Sequence, residues 1–471
     1  MFNVPFNCDR GSIQFHKIPR FTPVLLLVAD VFGLFIFLKI TFWLRIGQPV
    51  GFDTVVCGFI LLVLAGLYLA DTYHPDTQIA GLRAPARIVI SNSIIAGITS
   101  ALIYLSGTWG QYPFLGRGIL LVSLGIFTIW AVISRLLAVK WLRSHAEQSL
   151  WLMLGAGESG IKFAQMFLEQ NPLGRLVVLA ETSKDITELA KTGSNLSYGG
   201  SIKDLTALSQ YPWSGLVVAT QMSFSETQVE QLMQLRLQGI PIYRLPDICE
   251  TLWYKLPSCL LEDSWWAFSS GFNLVSSGIS LKLKRLVDLI LAGLLLILLF
   301  PLMLLAMVAI KLDSPGSVFY SQLRTGLYGK PFRVYKFRSM YKDAEKWGAQ
   351  WASQRDPRIT RVGYLLRVLR IDELPQIFNV IRGDMSLIGP RPERPEFDVK
   401  LKESIPYYEL RYLVKPGITG WAQVLYPYGA SVEDASEKLA YDLYYIKNYS
   451  LWLDIAIAFK TIRVVLLGKG R

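Results

Sequence analysis

The stretch "LKLKRLVDLILAGLLLILLFPLMLLAMVAIK", Leu281 to Lys311, decides the architecture of this chain. Its apolar run, Leu286 to Ile310, exceeds the roughly 20 residues that a helix needs to cross a bilayer. As a straight span it would put everything after it on the far side of the membrane. Yet Lys282, Lys284 and Arg285 precede the run, and Lys311 and a strongly basic segment follow it. Pro301 lies inside, where a missing amide and a ring clash kink or break a helix. Basic flanks at both ends and a central breaker predict a helix that enters the membrane, bends at Pro301 and returns. A straight fifth span is the alternative, because proline also occurs in true spanning helices.

Upstream, four apolar stretches fill the first 140 residues: Phe21–Leu44, Val55–Tyr73, Ile88–Ser106 and Ile119–Trp141. Each is near spanning length, so the chain reads as a membrane protein, in keeping with 52% hydrophobic and 13% aromatic residues and a mean hydropathy of +0.35. Basic residues precede the first stretch (Arg10, Lys17, Arg20), separate the second from the third (Arg83, Arg87) and surround the end of the fourth (Arg135, Lys140, Arg143). The alternate loops offer Arg45 and Arg117 alone, so both ends of the bundle are expected on the cytoplasmic side. The N-terminus has no apolar segment with a small-residue cleavage site before the first stretch, so no cleaved signal is expected.

Between Leu150 and Ser277 the pattern changes to alternating strands and helices. "SLWLMLGAGESG" reads as a buried strand entering Gly155, Gly157 and Gly160, and "LVVLAE", "GLVVAT" and "IPIYRL" read as further strands. This is the alternation of a doubly wound parallel sheet. The glycine spacing with Glu181 about twenty residues on fits a dinucleotide site. A lone fingerprint is weak, and a regulatory role or dimer contacts are the other readings of this module.

The net charge of +12 is concentrated at the C-terminal end, where Leu281 to Arg471 holds 29 Lys/Arg against 18 Asp/Glu. A basic segment beside a membrane implies anionic partners: lipid head groups, phosphates or nucleic acid. All three histidines and all four cysteines precede Leu260, and the cysteines form no C-x-x-C pair. Chemistry in the basic half must therefore rest on carboxylates, Lys/Arg and a hard cation such as Mg²⁺. In "LRIDELPQIFNV" (Leu369–Val380) the adjacent Asp372 and Glu373 read first as a helix start, with Asp372 as N-cap and Pro375 in the first turn. Beside Arg367 and Arg370, Asp372 is expected to stay ionised, able to attack a phosphate while Glu373 holds a metal. Lys336 and Arg338 share one face of an expected strand, as a solvated rim or a diphosphate clamp. Pro390-Arg391-Pro392 is a stiff turn presenting one guanidinium, for phosphate or merely for solvent. Trp421 suits a core position or a stacking platform. The tail from Tyr441, with Lys447, Lys460, Arg463 and Lys469, suits a helix in the head-group region or one packed in the core.

In order and spacing, "SPGSVFYSQLRTG", "KFRSM", "DPRITRVG", "LRIDELPQIFNVIRGDMSLIGPRP" and "KPGITGWAQ" resemble the bacterial sugar transferase family, the monotopic polyprenyl-phosphate hexose-1-phosphate transferases. The resemblance is dense from Leu281 to Arg471. The bundle plus α/β module resembles the long subgroup that includes undecaprenyl-phosphate galactose phosphotransferase. It implies an integral membrane α-helical bundle of four transmembrane helices (1–148), a Rossmann-like, CoA-binding-like α/β module (149–277) and a monotopic α/β catalytic domain (278–471) with a re-entrant helix (283–312).

It further implies that Asp372 is the nucleophile forming a phosphosugar-enzyme intermediate, with Asp372 and Glu373 at a Mg²⁺ site. Lys336, Arg338 and Arg367 match basic active-site positions, and Pro390, Arg391 and Pro392 match the element contacting the uridine nucleotide. The partners implied are a UDP-hexose (galactose or glucose), undecaprenyl phosphate and membrane lipids, with no nucleic acid and a homodimer open. The location implied is the cytoplasmic face of the bacterial inner membrane. Several family members carry Ser-Pro at the helix break, where this chain has Phe300-Pro301. A membrane-anchored nucleotide-sugar dehydratase or epimerase is the rival enzyme reading, but no second Gly-x-Gly-x-x-Gly follows Leu281. A non-catalytic lipid-binding scaffold is the other rival.

Overall fold

All four N-terminal apolar runs are helical, as their unbroken hydrophobicity requires. They form α1 (Ile18–Ile46), α2 (Thr54–Leu69), α3 (Arg83–Ser106) and α4 (Arg117–Glu147). The computed structural model describes residues 18–47, 54–73, 83–106, 117–147, 149–170, 174–180, 196–201, 211–219, 224–272, 278–341, 356–427, 429 and 431–466. The chain divides into two compact units, Met1–Ile242 and Tyr243–Arg471.

Helices α1, α3 and α4 are long and apolar enough to cross a membrane, whereas α2 stops at 16 residues, about 24 Å. Pairwise packing of α1 on α4, α4 on α3 and α3 on α2 buries Leu34, Val63, Leu67, Ile88, Phe127 and Ala131 completely. Arg135, counted in the sequence as a basic flank of the fourth span, instead lies inside the bundle. Its guanidinium meets both carboxylate oxygens of Asp30, and neither side chain is exposed. Tyr73 donates to the same carboxylate at 2.6 Å and lies under the guanidinium at 4.9 Å. Low dielectric makes such a pair strong only while both partners are present. Asp30→Ala is therefore expected to cost about 3–5 kcal/mol by stranding a buried cation, whereas a double Asp30→Leu, Arg135→Met variant recovers most of it. Thermal unfolding in detergent checks this, and equal instability of single and double variants would refute it.

The α/β sheet has the doubly wound strand order β3-β2-β1-β4-β5, its last strand beginning at Ile242, where the first unit ends. The strands are β1 (Leu150–Leu154), β2 (Arg175–Leu179), β3 (Leu196–Gly200), β4 (Gly215–Val218) and β5 (Ile242–Arg244). β1 pairs in parallel with β2 and β4, and all five of its residues are buried, as a central strand covered on both faces demands. After β1, Gly155 turns through φ 91° into α5 (Glu158–Gln170). A Cβ on Gly160 would press on the Gly155 carbonyl and Ala219 at 3.2 Å, so this glycine lets helix and sheet approach. The edge strand β3 (LSYGG) has no apolar alternation and was not legible in the sequence. Glu181 lies outside the described residues.

The second unit begins well before residue 278. Helices α7 (Leu245–Trp253) and α8 (Asp263–Phe268), inside the 149–277 span expected for the α/β module, pack on the C-terminal helices; α6 (Glu226–Leu237) precedes them in the first unit. Lys255 pairs with Glu437 at 2.8 Å, and Lys447 pairs with Glu250 while lying 4.5 Å from the Trp265 ring. Trp421 is a core residue, stacked on Tyr444 and donating to the Tyr254 carbonyl at 3.0 Å.

The apolar stretch Leu281–Lys311 lies in α9 (Gly278–Asp313), a helix of 36 residues that continues through Pro301. Its two halves pack against the same unit. Ala292, Leu295 and Leu296 meet Val334, Ile377 and Met385, while Met303, Ala306 and Ile310 meet Phe337 and Leu366. Such packing tolerates the one hydrogen bond that proline removes. The outward side, including Ile297, Leu298, Leu305 and Leu312, is apolar and exposed, an area far too large to face water. This protein is membrane-associated. In the C-terminal helix (Leu451–Leu466), Ile457 is buried in the core, as a core-packed tail requires, while Trp452, Ile455, Phe459 and Ile462 are exposed.

Candidate active site

The carboxylate pair is placed by a break between two short helices. Thr360 caps α10 (Arg361–Val368) through its side chain, and Asp313 at the end of α9 accepts from the Val362 amide at 3.2 Å. Gly363 lets α10 approach the Ser339 backbone, which a Cβ would strike. Arg370 then turns left-handed (φ 58°, ψ 19°), leading into a single 3₁₀ turn, Ile371–Glu373. Ile371 and Leu374, three apart and so on one side of such a turn, pack toward α9 and Phe337. The helix α11 (Gln376–Arg382) starts only after Pro375 and closes on Gly383 at φ 101°.

The expected helix cap is thus corrected. Asp372 precedes the helix, caps nothing, and its Oδ1 is buried without a hydrogen-bond partner. Burial first, and then the neighbouring Glu373 charge, push its pKa up to about 6, against Lys336, Arg367 and Arg370. The anticipated support from backbone N–H groups is missing, so the arginines alone do not keep it in the ordinary carboxylate range.

Glu373 has the opposite environment. Burial raises its pKa, but Arg391, Lys336 and Arg370 together hold it well below the usual range. Its Oε1 accepts from Lys336 Nζ at 3.0 Å and Arg391 Nη2 at 2.6 Å, and its Oε2 from Arg370 Nη1 and Arg391 Nη1, both at 3.4 Å. Lys336 comes from β7 (Pro331–Phe337), antiparallel to β6 (Phe319–Thr325). Arg391 follows β8 (Ser386–Ile388), which pairs in parallel with β9 (Gly417–Thr419). The glycines of "LIGPRP" and "KPGITG" serve a close approach there, since a Cβ on Gly417 or Gly389 would enter the other segment's backbone.

Lys336, Arg391 and the carboxylates are therefore one cluster, flanked by the charge of Arg367. Arg338 lies elsewhere, one residue beyond β7. Its guanidinium donates to Ser314 O at 2.6 Å, Ser314 Oγ at 2.9 Å and Pro315 O at 3.0 Å, closing the end of α9. Two further residues belong to the cluster, of which Asn379 was not singled out from sequence. Arg370 joins Glu373, and the fully buried Asn379 accepts from the Tyr335 amide at 3.1 Å and donates to the Arg333 carbonyl at 2.7 Å, tying α11 to the strand. An asparagine amid the apolar run "QIFNVI" was the available signal for the second.

Among the described residues, no group of three or more His, Cys, Asp or Glu could hold a metal ion. Mg²⁺ commonly uses one or two carboxylates and takes its other ligands from water and substrate phosphates. The orphaned Asp372 Oδ1 beside Glu373 fits that sparse set.

Stability should separate the two carboxylates. Because folding favours the neutral acid at Asp372, stability falls as pH rises from the ordinary aspartate range toward about 6, and the full cost of the ionised form is present above that. Asp372→Asn is expected to keep or raise the melting temperature at pH 7.5. Glu373→Gln, which strands three cations, should lower it by several degrees. A marked loss for Asp372→Asn in a thermal scan would contradict the geometry.

The model of the family described as "Bacterial sugar transferase" matches residues 279–468. Over 239 residues the chain is 47% identical to a UDP-N-acetylgalactosamine-undecaprenyl-phosphate N-acetylgalactosaminephosphotransferase of Aeromonas hydrophila, covering 51% of this chain and 55% of that one. It is 48% identical over 243 residues to an undecaprenyl-phosphate glucose phosphotransferase of Komagataeibacter xylinus, covering 48% and 44%. The chain thus spans about half the length of these two relatives. A longer match, 32% identical over 439 residues, is to a UDP-glucose:undecaprenyl-phosphate glucose-1-phosphate transferase of Xanthomonas campestris pv. campestris. It covers 81% of this chain and 87% of that relative.

Proposed function

We propose, since this chain belongs to the bacterial sugar transferase family, that it moves a hexose-1-phosphate from a UDP-sugar to undecaprenyl phosphate. The observation that carries this reading is the pairing of an unpartnered buried carboxylate, Asp372, with a neighbour that gathers three cations. A side chain meant only for structure would be expected to share those cations.

An Asp372 oxygen attacks the β-phosphorus of the UDP-sugar, and the bond from that phosphorus to the bridging oxygen breaks. UMP leaves with the bridging oxygen and its electron pair. A phosphate oxygen of undecaprenyl phosphate then attacks the same phosphorus, releasing Asp372 and giving the diphosphate-linked sugar. Lys336, Arg370 and Arg391 face the negative charge that builds on the phosphoryl oxygens, with Arg367 adding its field. Mg²⁺ bound by Glu373 and Asp372 would supply further neutralisation of the diphosphate. Arg391, held between two prolines, contacts the nucleotide phosphates.

The lipid acceptor requires the site to lie close to a membrane surface. That both halves of α9 pack on the catalytic unit supports a re-entrant helix, which keeps the unit on the side where the chain entered. UDP-sugars place that side in the cytoplasm, at the bacterial inner membrane. The α/β module is read as Rossmann-like, without an assigned ligand. The relatives' names divide between N-acetylgalactosamine and glucose, so the donor screen must include both.

The test is UMP release from UDP-glucose, UDP-galactose and UDP-N-acetylgalactosamine with undecaprenyl phosphate and Mg²⁺. Asp372→Asn should abolish it at unchanged expression, and near-normal turnover in that variant would remove Asp372 as the nucleophile. In the wild type the attacking form is the carboxylate, so the rate should fall as pH drops through about 6. A rate constant from pH 7.5 down to 5 would contradict that role.

A further inference from the structure

Pro390 and Pro392 have no amide hydrogen, so within this segment Arg391 alone carries a backbone donor. What its carbonyls accept therefore bears most of its positioning. Four successive carbonyls are each captured from outside the turn. Pro390 O accepts from the Gly417 amide at 2.9 Å and Arg391 O from Arg411 Nη2 at 2.9 Å. Pro392 O accepts from Arg324 Nη1 at 3.1 Å and Glu393 O from the Thr325 amide at 3.0 Å. Two of these donors are guanidiniums, and charge-assisted hydrogen bonds are roughly twice as strong as neutral ones.

Neither guanidinium is bonded to Asp372 or Glu373, and each is oriented by further partners. Arg411 is buried and also bonds Tyr408 Oη at 2.6 Å and the buried Asp442 at 3.0 Å. Arg324 also bonds Gln322 Oε1 at 2.7 Å and lies 3.7 Å from Glu393. We infer that Arg324 and Arg411 are positioning residues, which grip the Pro390–Pro392 segment by its carbonyls and so keep the Arg391 guanidinium on Glu373. The kinetic part of this inference rests on the transferase reading above; the structural part does not.

The experiment uses the full chain in detergent or nanodiscs. Arg411→Gln strands Asp442 and can fail to fold, so Arg324→Gln carries the test. In Arg324→Gln, hydrogen exchange at the Gly417 amide, at the opposite end of the segment, should accelerate about tenfold or more. The KM for the UDP-sugar should rise about fivefold or more while kcat stays within about twofold. Added to Arg391→Ala, the same substitution should change KM by less than about twofold, because no guanidinium remains to be positioned. Unchanged Gly417 exchange, or a full KM effect in the Arg391→Ala background, overturns the inference. If the wild-type chain releases no UMP from any donor, the transferase reading fails, while the exchange measurement still decides whether Arg324 holds the segment.

Discussion

Three cations from three separate parts of the chain converge on Glu373, and this convergence organises the catalytic unit. Lys336 arrives on a strand, Arg370 on a left-handed turn and Arg391 on a proline-bounded segment. Without the carboxylate these groups would repel one another in a poorly solvated place. With it they form a ready-made basic surface beside Asp372. The two adjacent acids thereby divide their tasks through environment: one neutralises cations, and the other is left without a hydrogen-bond partner and harder to ionise.

Much of the architecture was legible because it follows from apolar patterning. The N-terminal helices, the strands LVVL and GLVV, and α9 itself are long or regular enough that burial dictates them. What escaped is what patterning does not encode. The edge strand LSYGG buries little. Arg135 reads as a loop marker until the fold places Asp30 beside it. The expected interruption at Pro301 is also not a break in the helix, since neighbouring elements support it on both sides.

Within the candidate site the residue types were legible and their partnerships were not. That the chemistry must use carboxylates and Lys/Arg follows from where the histidines and cysteines lie. Sequence alone put the cap at Asp372, but the left-handed Arg370 delays the helix until Pro375 and removes the expected amide donors. Alternation likewise grouped Lys336 with Arg338. The strand ends at Phe337, so the second cation turns to the end of α9. Arg324 and Arg411 have no local signature, because their partners are carbonyls some 68 and 20 positions away.

The residues between Tyr243 and Phe272 bear on where this protein can be cut. The family match starts at residue 279, yet Glu250, Tyr254 and Trp265 cover Lys447 and Trp421 from the amino-terminal side of that point. A fragment trimmed to the edge of the match would bare a buried lysine and an indole with nothing to receive its proton. A fragment of the second unit therefore has to retain Glu250, Tyr254 and Trp265, and exchange of modules between relatives is best made upstream of them.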